Sequence, residues 1–397
     1  MSIRLKFRWC HDITQVSAAA WSALVEPETA FCFEWEWLYC LEASGSAIAN
    51  EGWLPCHLLV EQNGELVAAA PMYLKAHSYG EYVFDQEWAR VSHQLGERYY
   101  PKLLGMSPFT PATDSYRFLF HPDVSAADLL PAMMAEIDRF CQREQISVCS
   151  FLYVEPEWHQ TLEKYGFVPR ITHNYQWQNQ SYQSYDDFLK QFNANQRRNL
   201  KRERKAVAQT GIEVKYYRGD EIPTHFFSLM YRLYSNTCDQ FWGGSKYLNR
   251  RFFELVEQYC RDRVLFVAGE FENKPVGMSF CLTKGDRLFG RYWGALEDIK
   301  FLHFCLCYYN PIEWAIERGI RNFDPGAGGQ HKIRRGFPAT PNYSYHRFYR
   351  SRLEKVLVPY LEQVNPLVLE ELERMNLAAV PFRSDLLPEL TALTRQD

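Results

Sequence analysis

The segment Asp324-Pro325-Gly326-Ala327-Gly328-Gly329-Gln330-His331-Lys332 gathers several chemically useful residues into one stretch directly after a predicted strand. Glycines allow successive backbone N–H groups to converge, so Gly326, Gly328 and Gly329 would form a concavity suited to an oxyanion or a phosphate. Lys332, Arg334 and Arg335 add cationic donors within reach of the same loop. A neutral imidazole at His331 can take the proton from an incoming ammonium, the step that aminolysis of an activated acyl group requires. Asp324 could do the same or orient a substrate amine, and His331 could instead be an anion or structural hydrogen-bond partner, so the base stays open. The plain alternative for the whole segment is a flexible connection with a solvated basic face. It is neither a GxxxxGK[ST] loop nor a GxGxxG turn, and the chain has no GxSxG nucleophile elbow.

A second chemical feature is the run Arg197–Lys205, with six bases and one acid in nine residues. On a helix, Arg197, Lys201 and Arg204 share one stripe, with Arg198, Arg202 and Lys205 beside it. An anionic partner fits Arg198 and Arg202: a tRNA backbone, a lipid or nucleotide pyrophosphate, or an acidic headgroup. The alternative is a solvated helix face. Tyr79, Tyr82, Asp85 and Trp88 cluster in the first half, where an aromatic-lined polar pocket would suit a sugar or peptide acceptor. Core packing of the tyrosines is the alternative there. His303, Cys305 and Cys307 point apart on a helix and lack a second ligand pair, so no metal site is expected.

These residues need elements to hold them, and the chain reads as two halves of similar grammar. In the first half, short helices are predicted at 16–23 and 33–43. The alternating strands 56–62 and 65–74 flank Asn63-Gly64, a hairpin signature. A strand at 82–84, a polar loop at 87–115, a strand at 116–120, a helix at 126–141, a strand at 147–154 and a helix at 157–164 follow. In the second half a long helix over 185–209 stops at Gly211, a C′ glycine. Strand 212–217, helices 223–237 and 246–260, and the meander 264–271, 276–283 and 288–295 come next. A helix at 304–318 then feeds strand 320–323. The hairpins 58–75 and 266–284 align as a faint internal repeat, pairing Val67 with Val276, Ala68 with Gly277 and Lys75 with Lys284.

Composition narrows the class. The 397 residues favour two domains, and 47% hydrophobic content with 11 Trp, 25 Tyr and 27 Phe excludes disorder. A net charge of −4 argues against a globally cationic nucleic-acid or membrane coat. Eleven cysteines, an odd number without a CxxC pair, speak against a secreted disulfide framework and for a reducing cytoplasm. The start MSIRLKFRWCHDITQ has no apolar h-region, and no uncharged stretch reaches membrane-spanning length.

Three antiparallel strands, a helix and a parallel strand between Val264 and Phe323 resemble the core of the GNAT N-acetyltransferase fold. Two such cores with a charged helix near the second resemble the Fem-type aminoacyl transferases. The segments SYGEYVFDQEWA (78–89), NQRRNLKRERKAVAQTGIEV (195–214) and HFCLCYYNPIEWAIERGIRNFDPGAGGQHKIRRGF (303–337) resemble the FemAB-like family of peptidoglycan biosynthesis or recognition proteins, over about residues 10 to 350. The resemblance implies an α/β (α+β) chain with tandem GNAT-like domains, each a mixed, mostly antiparallel sheet flanked by helices. The N-terminal domain would cover 1–172 and the C-terminal domain 173–350 with the basic helix. A helical tail at 351–397, interrupted by Pro359 and Pro366, would serve packing or self-association.

In that fold the last two core strands diverge, and the gap between them holds the acyl donor. Strand 288–295 would line it, with backbone groups near Gly294 binding the donor, Arg291 meeting an anionic part of a substrate, and Tyr292 a further substrate- or anion-binding candidate. The usual turn that cradles the coenzyme A pyrophosphate is replaced by Gly294-Ala-Leu-Glu-Asp-Ile-Lys300, which carries two acids. That argues against coenzyme A and for a bulkier donor, aminoacyl-tRNA as in Fem-type enzymes, with an acyl thioester as the other option. The implied function is a cytoplasmic acyl- or aminoacyl transferase acting on the amine of a cell-wall-precursor-like or other small acceptor. A non-catalytic binder of cell-wall or lipid-linked precursors and a nucleic-acid-binding module are the rivals. Donor, acceptor and oligomeric state stay open at this level.

Overall fold

The computed structural model describes residues 5–241, 244–379, 381 and 382. The chain forms two compact units: one runs to Thr172 and includes Pro341–Leu369, the other holds His173–Thr340 and the chain from Glu370. The expected 173–350 domain and separate 351–397 tail therefore need revision. Strand Ala339–Phe348 pairs with Val148–Phe151 (Tyr345 opposite Phe151, Phe348 opposite Val148), and helix Ser351–Ala379 buries Leu353, Leu357 and Leu361 against Trp88, Tyr99 and Val148. Both interactions tie the returning chain to the first unit. The helix runs through Pro359 and Pro366 rather than breaking at them. Each internal proline costs about 3 kcal/mol, and the buried leucine stripe at helical spacing offsets that. The tail beyond 382 lies outside the described residues.

The first unit has a four-stranded antiparallel sheet, Leu5–Cys10, His57–Gln62, Glu65–Ala70 and Leu119–Phe120 in spatial order. Its hairpin turns at Asn63 and Gly64, with φ of 55° and 91°, as the Asn-Gly pair requires. Pro71 then ends the strand that was expected to continue to Leu74. Lacking an N–H, it releases the chain into a second, six-stranded sheet, where Tyr73–Lys75 pairs with Trp53–Pro55 and Lys102–Gly105. Lys102–Gly105 in turn lies parallel to Val148–Phe151. The expected strand at 82–84 is absent: Tyr82 and Phe84 adopt φ of 62° and 57°, incompatible with a pleated strand. The expected polar loop at 87–115 instead supplies helix Gln86–Gln94 and strand Lys102–Gly105. Leu5–Cys10, Trp53–Pro55 and Val168–Tyr175 are further strands that sequence patterning missed.

The second unit is a six-stranded sheet in the order Trp177–Gln178, Asn322–Asp324, Arg287–Ala295, Lys274–Lys284, Val264–Phe271 and Glu213–Arg218. Val264–Phe271, Lys274–Lys284 and Arg287–Ala295 form the expected antiparallel meander, Glu213–Arg218 pairs antiparallel at its edge, and Glu272-Asn273 turns with φ of 49° and 58°. The expected helix over 185–209 is two helices, Tyr185–Leu189 and Ala194–Ala208. Asn193 caps the second by accepting from the Gln196 N–H at 2.9 Å. Among the described residues, no helix is long and apolar enough to cross a membrane.

Candidate functional site

The second unit contains the divergence on which a group-transfer site depends. Strand Arg287–Ala295 pairs in parallel with Asn322–Asp324 only through Arg287, Leu288 and Phe289. From Gly290 to Ala295 it runs on without that neighbour. At the same point a bulge interrupts its other edge: Phe280 faces Tyr292 and Cys281 faces Gly290, so Arg291 has no cross-strand partner. A bulge re-aims the extra side chain, and here that side chain is a guanidinium only 2% exposed. Arg291 Nη1 donates to the Gly290 carbonyl at 2.9 Å and to Asp324 Oδ1 at 3.3 Å. Its Nε and Nη2 are buried with no hydrogen-bond partner among the described residues. Buried, unsatisfied cationic donors at a strand divergence are a pre-built site for an anionic oxygen.

Asp324 ends its strand and anchors the glycine loop, accepting from the Gly326 N–H at 2.8 Å as well as from Arg291. Gly326, Gly328 and Gly329 have φ of 84°, 72° and 91°, a left-handed path that only glycine follows without strain. The expected ring of convergent N–H groups is not what the loop presents. Buried Lys332 donates through Nζ to the carbonyls of Gly326 (2.7 Å) and Ala327 (3.3 Å), so the loop wraps its own ammonium with oxygens. Burial lowers the Lys332 pKa to about 8, with Asp324 holding it up and Arg291 pushing it down.

His331 and Lys332 are neighbours that point to different places. His331 is exposed, and its Nε2 lies 3.1 Å from the Tyr308 hydroxyl. Tyr308 sits in a π-helical turn, Cys305–Tyr309, which no sequence signal foretold. Desolvation, then Arg335 and Lys332, lowers the His331 pKa to about 4; His303, beside Trp293, is lowered to about 3 for similar reasons. Both imidazoles are neutral at pH 7. Arg335 stacks 3.4 Å from the Phe304 ring centre and pairs with Glu203 at 3.2 Å, which also accepts from the Tyr309 hydroxyl.

Around these residues lies an open groove of about 810 Å³. Gln196, Asn199, Arg202 and Glu203 of the basic helix form one wall; His331, Arg334 and Arg335 form another, and Glu371 and Arg374 close it. Four arginines against two glutamates leave it cationic. The two helix stripes expected from the sequence have separate fates. Lys201 and Arg204 pair with Asp186 (3.0 Å) and Glu313, whereas Arg198 and Arg202 are exposed without an ion pair among the described residues. Arg202 faces the groove, and Arg198 is not part of its lining.

Two proposed contacts turn out to be packed. Tyr292 sits in an aromatic cluster with Tyr234, Phe253 and Phe280, with centroids 5.3 to 6.4 Å apart. A Cβ on Gly294 would come 2.3 Å from the Leu233 carbonyl oxygen, so glycine there admits the helix His225–Phe241. Strand alternation puts both on the helix-covered face.

In the first unit, Tyr82 and Asp85 were expected to line an open polar pocket. Asp85 is instead buried among ionised neighbours. Lys102 Nζ bonds Glu81 Oε2 at 2.6 Å and Asp85 Oδ2, and the Tyr99 hydroxyl donates to Asp85 at 2.5 Å. Lys75, opposite Lys102 across the strand pair, lies 3.6 Å from the Trp53 ring centre. Burial alone would raise the Asp85 pKa, but the Lys102 ammonium and its hydrogen bond win and hold it low. Burial raises Glu81 to about 7 and lowers Lys75 to about 7. A raised acid contributes stability present at low pH and lost as pH climbs to 7. A lowered base contributes stability present at high pH and lost as pH drops to 7. The pair is therefore least stabilising near pH 7. In urea unfolding at pH 5, 7 and 9, wild type should gain on the Lys75→Met/Glu81→Gln variant at both extremes; a pH-independent gap contradicts this. Charged residues inside apolar strands were the sequence signal for this cluster.

No curated protein sequence matches the chain. Among solved structures, FemX aligns with a TM-score of 0.52 at 11% identity, covering 88% of this chain and 100% of that one. A conserved protein of unknown function from Bacteroides thetaiotaomicron VPI-5482 aligns with a TM-score of 0.50 at 11% identity, covering 86% and 99%. A tandem GNAT protein from the clavulanic acid biosynthesis pathway is more distant, with a TM-score of 0.42 at 10% identity over 87% and 98%. At such identities the likeness is one of fold, and the fold is mixed α/β, with sheets flanked by helices and a C-terminal helix. The family model for peptidoglycan biosynthesis/recognition matches residues 12–384, nearly the whole length, and the chain belongs to that FemAB-like family.

Proposed function

We propose that the second unit transfers an acyl or aminoacyl group to an amine of a peptidoglycan precursor. The observation that carries this reading is the Arg291 guanidinium, turned by a bulge into the strand divergence with Nε and Nη2 buried and unpartnered. Donors fixed before the reaction stabilise the tetrahedral oxyanion without reorganising, usually the largest contribution to acyl transfer. Asp324 and the Gly290 carbonyl hold the guanidinium in place. The cationic groove, with Arg202 and Arg334, supports an anionic donor, and aminoacyl-tRNA fits its breadth better than a small acyl thioester. Family membership supports the cell-wall precursor as acceptor. The rival, a precursor binder without chemistry, draws on the close packing of Arg291, Asp324 and Lys332 at the divergence.

The test incubates the purified protein with peptidoglycan precursors and either aminoacyl-tRNA or an acyl thioester, with mass spectrometry of the products. A new amide on the precursor is expected. Precursor binding with no amide from either donor would establish the binder instead. Arg198→Glu with Arg202→Glu should weaken aminoacyl-tRNA binding at least tenfold and flatten its salt dependence by about two phosphate contacts. Binding indifferent to those charges removes tRNA as donor.

A further inference from the structure

Four groups near the diverging strands have the chemistry to accept a proton from an ammonium, and His303, lowered to about 3, is poorly matched to the task. His331 is matched badly: its pKa of about 4 makes transfer from an α-ammonium of ordinary pKa, about 8, unfavourable by about four orders of magnitude. Its Nε2 also faces the Tyr308 hydroxyl. The Asp324 carboxylate is committed to the Arg291 guanidinium and the Gly326 N–H. Lys332 remains. Its Nζ has two hydrogen-bond partners among the described residues, the carbonyls of Gly326 and Ala327. A neutral amine has two N–H donors, so those carbonyls satisfy both and leave the lone pair unengaged.

We propose that the Lys332 amine is the base that deprotonates the acceptor ammonium, an inference that rests on the transfer reaction proposed above. The acceptor gives one proton to the Lys332 lone pair, and the freed amine attacks the acyl carbon. The new C–N bond forms, the bond from that carbon to the donor's oxygen or sulfur breaks, and the leaving atom takes the second amine proton. Lys332 then releases its own proton to water, one per turnover. The groups that face Lys332 are Asp324 and Arg291 from the two strands, Cys307 from the π-helical turn and the Tyr175 ring at 5.6 Å. Burial with two cations sharing one carboxylate favours the neutral amine, and the resulting pKa of about 8 suits a base working near neutrality.

Competitive labelling tests this on the wild-type protein. Native protein receives trace acetic anhydride between pH 6 and 11, is unfolded, and is completed with the deuterated reagent; isotope ratios then give the reactivity of each lysine. Lys332 should label with a midpoint near pH 8, against about 10.4 for a model lysine. A midpoint above pH 10 overturns the proposal. So does absence of label at every pH, because an amine that acetic anhydride cannot reach cannot meet an acceptor. The labelling needs neither donor nor acceptor, so it speaks for Lys332 even if no transfer reaction is found. Where transfer is measurable, Lys332→Arg should lower kcat by about 10²–10⁴-fold and abolish the acidic limb of kcat/KM. Undiminished transfer by that variant overturns the assignment.

Discussion

Arg291→Met is expected to lower the rate of acyl transfer by about 10²–10³-fold while leaving the second unit folded. The size follows from what the side chain alone supplies: buried donors at the strand divergence that no group among the described residues engages. Such donors gain strength where water is excluded, and losing one typically costs about 3 kcal/mol of transition-state stabilisation. The fold should tolerate the change because Asp324 keeps the Gly326 N–H at 2.8 Å, and Lys332, relieved of the Arg291 charge, takes up a proton more readily beside it. Met also fills much of the volume that the Arg291 stem occupies beside Phe289. Arg291→Lys provides the sharper comparison, since it keeps the charge and removes the planar fork. It should recover only a small part of the rate. Single-turnover transfer with urea unfolding of the same samples separates chemistry from stability; a rate within threefold of wild type would remove Arg291 from the mechanism.

Lys102→Met should destabilise the first unit by about 3–5 kcal/mol at pH 7. The Lys102, Glu81 and Asp85 side chains are 1%, 1% and 3% exposed, and the ammonium contacts both carboxylates. Taking it away leaves the Asp85 carboxylate in a dry site with the Tyr99 and Ser78 hydroxyls, beside a Glu81 already raised to about 7 that then holds its proton more firmly. The loss should shrink as pH falls and the carboxyls protonate. Adding Glu81→Gln and Asp85→Asn to Lys102→Met should restore most of the stability, because neutral amides need far less solvation than ions. Urea unfolding of the single and triple variants decides the matter. A single variant within 1 kcal/mol of wild type would mean that water reaches the cluster.

Much of the architecture was legible because it follows from near-neighbour physics. Asn63-Gly64 between alternating apolar residues is enough to specify a tight hairpin, and the meander from Val264 to Ala295 carries its own turns. Gly211, at φ 81°, turns the chain away two residues after the C-cap Gln209 of the basic helix, one position beyond the C′ place expected for it. The glycine loop was also visible as a loop. Its polarity was not, because whether carbonyls or N–H groups face inward depends on what sits inside, and Lys332 is that occupant. Tyr292 and Gly294 illustrate the same limit: alternation places them on one face, but only the packed helix His225–Phe241 says that this face is filled.

The amino-acid sequence by itself determined the two hairpin turns, the run of three antiparallel strands from Val264 to Ala295, the basic helix and the family. Tertiary structure decided the rest: the bulge that aims Arg291, the strand from Ala339 that completes the first unit's sheet, and the dry company of Lys332, Glu81 and Lys75. Periodicity and turn chemistry act over a few residues and so can be read in order. Register, desolvation and pKa arise where segments far apart in the chain meet, as Ser150 and His346 do at 2.8 Å, and no local pattern encodes such meetings.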